Sequence, residues 1–130
     1  MQKTFLITKY IRKILSMNED LMKMIPIERI FPVDAKQGTK FPFVVVARTG
    51  LIESSSKDGI YQDNIEVTVI VVDDNYVNSI EIANEIRKWL EGHIYKDEDI
   101  NIRKIRLVST SEAFYNNAYI QEMGFSILVN

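Results

Sequence analysis

The chain has 130 residues, 46% hydrophobic and 26% charged, with a formal net charge of −2. That is enough for one domain with its own core, and too apolar for a disordered chain. Cysteine is absent, which excludes disulfides, thiolate metal sites and a cysteine nucleophile, and the slight negative balance gives no global pull toward nucleic acid or anionic membrane.

The first segment places Ile7, Tyr10, Ile11, Ile14 and Leu15 at helical spacing, with Lys9, Arg12 and Lys13 on the opposite face. These cations also interrupt what would otherwise resemble an export signal. No apolar run approaches the ~20 residues of a membrane span, so neither export by that route nor membrane insertion is expected. Asn18, followed by Glu19 and Asp20, has the form of a helix cap with acids in the first turn, and a short second helix carries Leu21, Met22 and Ile25 up to Pro26. The stretch "IERIFPV" then reads as extended chain, and Pro32, which lacks an N–H, suits a sheet edge or a strand end.

After the loop "DAKQGTK", the continuous apolar run Phe43–Ala47 predicts a strand buried on both faces. The polar stretch from Ile52 to Ile60, with its serines and Asp58-Gly59, predicts a turn at the tip of two long antiparallel strands. The second of these alternates Ile65, Val67, Val69 and Val71 with Glu66 and Thr68.

Next, "VTVIVVDDNYVNSIEIANEIRKWLEG" runs a strand into a helix. Tyr76, Ile80, Ala83, Ile86 or Ile82, and Leu90 with Trp89 give that helix its apolar stripe, and Gly92 stands where a helix stops. Trp89 is expected to pack against the sheet. Two strands meeting near Asn116-Asn117 close the chain, the second with Tyr119, Met123, Phe125, Ile127 and Val129 on one face. Antiparallel strands with one crossover helix define an α+β class, in a single domain spanning residues 1–130.

Asp73 and Asp74 could be a metal-binding or catalytic pair at a strand end. In an antiparallel hairpin that crevice is missing, and Asp73, Asp74 or Asn75 serve better as caps for the helix that follows. His93 is the only histidine, and Ser54–Ser56 have no neighbouring base, so no nucleophilic triad can be assembled; no glycine-rich phosphate loop or zinc motif occurs. No catalytic, cofactor or metal residue is expected.

Ile30-Phe31-Pro32, Phe41-Pro42-Phe43, Asp74 with Tyr76, Ala83, Ile86, Leu90 and Gly92, and the closing Met123, Phe125 and Ile127 together resemble the tail completion, or tail-terminator and head–tail joining, family of tailed phages and prophages. The resemblance extends from about Phe5 to Val129. It implies a non-enzymatic protein whose copies close into a ring, sixfold in such proteins, on the head-proximal end of the tail tube. Its partners would be further copies of itself, the tail tube protein and the head connector or completion protein, with no sequence-specific nucleic acid and no membrane. The implied place is the tail–head junction of a virion assembled in bacterial cytoplasm.

Exposure and position, rather than the resemblance, select the candidate assembly contacts: Arg12 and Lys13 on the basic helix face, Ser54, Ser55, Ser56, Lys57 and Asp58 at the hairpin tip, and Asp97, Glu98 and Asp99 in an acidic loop. The two opposite charges could meet between neighbours. Alternative readings are another virion neck or connector protein, a small enzyme using Asp73 and Asp74 with a divalent ion, or a ligand-binding α+β module.

Overall fold

The computed structural model describes residues 3–55 and 61–130, without the side chains of Ser54, Ser55 and Tyr61. A 3-10 turn at Thr4–Leu6 leads into α1 (Ile7–Ser16), whose stripe of Ile7, Tyr10, Ile11, Ile14 and Leu15 is buried as its spacing predicts. α2 (Glu19–Met24) is short because Pro26 follows it closely, and the Asn18 side chain caps it by accepting the Leu21 N–H at 3.1 Å.

The strands are β1 (Ile30–Pro32), β2 (Phe43–Ser55), β3 (Tyr61–Asp73), β4 (Tyr95–Lys96), β5 (Asn101–Tyr115) and β6 (Ala118–Val129), with α3 (Tyr76–Leu90) between β3 and β4. They form one sheet in the order β1-β2-β3-β6-β5-β4. β1 pairs with β2 in parallel, and all other neighbours are antiparallel, so the class is α+β. β1 does lie at the sheet edge that Pro32 requires, although Ile27–Arg29 before it forms a 3-10 turn rather than extended chain.

β2 and β3 form the expected long hairpin. β5 and β6 form another, turned by Asn116 and Asn117 at φ 52° and 60°, the left-handed pair that a tight two-residue hairpin requires. The helices lie on one face of the sheet. On that face Ile65, Val67, Val69 and Val71 of β3 join Met123, Phe125, Ile127 and Val129 of β6, and α1, α2 and α3 close over them in a single core. Each large side chain buried there contributes roughly 1.5–3 kcal/mol.

The face that α3 presents differs from expectation. Ser79, Ile82, Ile86 and Leu90 are buried, whereas Tyr76 is 42% exposed and Ile80 and Ala83 only half-buried. The sequence offers two overlapping stripes, and the sheet selects the one that includes the small Ser79. Trp89 has a second role beside packing. It is half-buried against the core, which includes the sheet, and its indole Nε1 donates to the Ile14 carbonyl at 2.7 Å, tying α3 to the end of α1. Gly92, at φ +81°, occupies the predicted position just past the helix.

Candidate assembly surfaces

The N-terminus of α3 is organised by neighbouring polar side chains. Asn75 is its cap and accepts the Asn78 N–H at 2.9 Å. Asp73 is buried and sits one step back, where it accepts the Asn75 N–H at 3.3 Å and the Asn78 side-chain amide at 2.6 Å. Asp74 is exposed. Of the three candidate caps, therefore, the amide serves the helix directly and the buried acid braces the turn. Among the described residues, no three His, Cys, Asp or Glu side chains gather as metal donors would, and no helix is long and apolar enough to cross a membrane.

The basic face of α1 and the acidic loop meet within one chain. The Arg12 Nε donates to the Ile30 carbonyl at 2.7 Å, fastening β1 to α1. The Lys13 Nζ donates to the Tyr95 hydroxyl at 2.9 Å, and that hydroxyl donates to Asp97 at 3.2 Å. Asp97 also accepts the N–H groups of Asp99 and Ile100, at 2.8 and 3.0 Å, so it holds its own loop shut. Asp99 pairs with Lys3 at 3.0 Å, supported by the Lys3 N–H donating to the Asp99 carbonyl. Among the described residues, Glu98 is the acid of this loop with no such bond, and it is exposed.

These contacts shape the local titration. Burial, followed by the hydrogen bond and charge of Asp97, pushes the Tyr10 hydroxyl up from 10.0 to about 12. Burial alone would raise the Asp97 carboxyl, but the N–H of Asp99, the Tyr10 hydroxyl, the N–H of Ile100 and the Tyr95 hydroxyl outweigh it and hold Asp97 below its usual value. The hydrogen bond to Tyr95 raises Lys13 in turn.

At the hairpin tip, Ser56, Lys57 and Asp58 lie outside the described residues, as do the side chains of Ser54 and Ser55. The backbone that carries the tip is described: the pairs Ser54↔Gln62 and Ser55↔Tyr61 extend beyond the last β3–β6 pair, Asp63↔Val129. The tip therefore starts outside the body of the sheet.

Two grooves add surfaces that the sequence reading missed. On the face away from the helices, Phe43, Val45, Ile70, Val72, Ala118 and Ile120 floor an apolar hollow of about 420 Å³ beneath the loop that starts at Val33. Alternation in β3 and β6 could have revealed it, because Ile70, Val72 and Ile120 stand where polar residues would otherwise face water. On the helix side, a groove of about 460 Å³ runs between α3 and the β5–β6 hairpin, over Ile80, Ala83 and Met123. At its end Tyr119 contacts both Tyr76 and Phe114, with ring centroids at 5.1 and 4.8 Å, and Glu112 accepts from the Tyr76 hydroxyl and the Gln121 amide. This cluster explains the exposed Tyr76: it meets the hairpin instead of the core.

No family model and no curated protein matches the sequence. Solved structures do match. One is a chain of the virion of a native gene transfer agent particle, with a TM-score of 0.79 and 10% identity, covering 92% of this chain and 90% of that one. A second solved structure matches with a TM-score of 0.70 and 12% identity, covering 100% of this chain and 97% of that one. Over 92% of its length the chain therefore has the fold of a protein found in a gene transfer agent particle. At these identities, the likeness is one of fold.

Proposed function

We propose that this chain is a non-enzymatic structural protein of a phage or phage-like particle, and that it acts as the tail terminator. In this reading, copies close into a ring, sixfold as the resemblance implies, on the head-proximal end of the tail tube; the ring stops tube growth and offers its other side to the head connector. The observation that carries the reading is the near-complete fold likeness to a virion chain. It is supported by polar clusters that do structural work: Asp73 braces a helix turn and Asp97 a loop, and each already has its hydrogen bonds. A ring needs two different patches on each subunit, and closure rather than affinity ends its growth. The hairpin tip, the exposed Glu98 and the α1 cations Arg12 and Lys13 are the proposed contacts.

The test is deletion of the gene from the genome that carries it, followed by electron microscopy of the particles. Tails of uncontrolled length with unattached heads are expected, and restoration by the intact gene. Particles with normal tails joined to heads would remove the tail-terminator role.

A further inference from the structure

Each edge of the sheet is covered over only part of its length. β1 covers β2 at Val44–Val46, where the Val33 N–H also donates to the Val46 carbonyl at 2.8 Å. From Ala47 to Ser55, among the described residues, no backbone hydrogen bond leaves the outer side of β2. At the far edge, β4 covers β5 at Asn101 and Ile102. The end of α3 covers the next stretch, the Gly92 N–H donating to Ile105 at 3.0 Å and Glu91 accepting from the Leu107 N–H at 3.3 Å. Val108–Tyr115 has no such cover among the described residues.

Bare strand edges are templates for pairing, and proteins usually blunt them with charge, proline or a covering segment. Here the covers stop part-way. The bare part of β5 holds a single charged residue, Glu112, and exposes Val108, Phe114 and Tyr115 by 52%, 59% and 68%. The bare part of β2 exposes Ile52 by 64%. Because β2–β3, β3–β6 and β6–β5 are each antiparallel, β2 and β5 run in opposite directions, and their bare stretches lie toward opposite ends of the sheet.

We propose that these two stretches join copies of the chain: Val108–Tyr115 of β5 in one copy adds antiparallel to Ala47–Ser55 of β2 in the next. This rests on the reading that copies assemble with one another, and it names the strands that join them. Charge selects β2 as the partner of β5. If β5 paired with itself about the middle of its bare stretch, the two Glu112 carboxylates would be neighbours, an unfavourable like-charge placement. Against β2, Glu112 approaches Arg48, because both project from the helix-covered side: Glu112 stands opposite Gln121, and Arg48 opposite Val67. Phe114 then comes near the same guanidinium, which already lies 3.9 Å from the centre of the Phe5 ring. The contact uses two different patches, so it repeats head to tail and can close into a ring.

The chain has no cysteine, so introduced thiols report without background. Ile52→Cys protein is mixed at high concentration with Ser109→Cys, Ser111→Cys or Ala113→Cys protein, oxidised, and read by non-reducing electrophoresis and mass spectrometry. A mixed disulfide dimer should dominate in at least one mixture and outpace the homodimers. Mixed dimers in none, or faster homodimers of the β5 variants, would overturn the proposal. Adding Val108→Lys and Tyr115→Lys, both at exposed positions, to the β5 partner should abolish the cross-link with melting unchanged; a persisting cross-link would equally overturn it. Tail length and head attachment are scored separately, so an absent cross-link leaves the tail-terminator reading to its own test.

Discussion

The two faces of the one sheet differ in what they ask of the sequence. On the helix-covered face, β3 and β6 present an unbroken series of buried aliphatic and aromatic side chains from Ile65 to Val71 and from Met123 to Val129. On the other face, β3 presents Asn64, Glu66 and Thr68, then Ile70 and Val72 toward one end. Alternate residues of one strand thus meet separate demands. One set holds the fold together, while the other is free to carry contacts with something outside it.

The largest effect should come from the covered face. Phe125 is buried at its centre, so Phe125→Ala should cost about 3–5 kcal/mol in equilibrium urea unfolding. A loss below about 1 kcal/mol would mean that the core does not depend on that face as described.

The junction between α1 and α3 comes next. Trp89→Phe keeps most of the ring but removes the Nε1 donor to the Ile14 carbonyl, and should cost about 0.5–1.5 kcal/mol. The carbonyl still accepts the Met17 N–H at 3.2 Å, which limits the loss. Similar in size is the cap of α3: Asn75→Ala should cost about 1 kcal/mol, whereas Asp74→Ala, at an exposed site, should stay within about 0.5 kcal/mol. The reverse order in thermal melts would return the capping role to Asp74.

That cap shows where sequence reasoning reaches its limit. The alternation of Ile65 to Val71, the α1 stripe, the Asn18 cap, the Asn116-Asn117 turn and Gly92 were all legible, because each is set by local spacing or by a backbone conformation few residues tolerate. The choice among Asp73, Asp74 and Asn75 was not, because three adjacent residues have nearly equal capping chemistry and the approach angle of the strand decides between them. The α3 face was ambiguous for a related reason: Ile80, Ile82, Ala83 and Ile86 support two stripes, and only the sheet distinguishes them. The intrachain use of Arg12, Lys13, Asp97 and Asp99 lay beyond local pattern altogether, since Lys13 and Tyr95 are 82 residues apart.

The loop that Asp97 holds should give stability a pH signature. Tyr10 is raised, so its contribution is fully present below about 10 and is lost as pH rises toward about 12. Asp97 is lowered, so its contribution is present above the usual carboxylate value and is lost as pH falls through its folded value. Tyr10→Phe should flatten the alkaline limb of a stability–pH curve, and Asp97→Asn should flatten the acid limb and reduce the alkaline one without removing it, because the burial that raises Tyr10 most remains. An unchanged alkaline limb in Tyr10→Phe would show that the hydroxyl is not held by this loop.

The smallest effect should come from the uncovered face and edge. Ile52 is apolar, yet it stands on the side of β2 away from the helices, opposite Asn64, and buries little of itself. Its replacement by Ala removes few contacts and leaves no enclosed cavity, so stability should change by no more than about 0.5 kcal/mol. β propensity opposes the change slightly, because a branched side chain suits a strand better than Ala does, and a loss rather than a gain is expected. Urea unfolding of Ile52→Ala beside Phe125→Ala sets the two faces against each other within one sheet. A loss above about 1 kcal/mol at Ile52 would show that the hairpin arm is bound into the fold, and the division between a face that folds and a face left for partners would fail there.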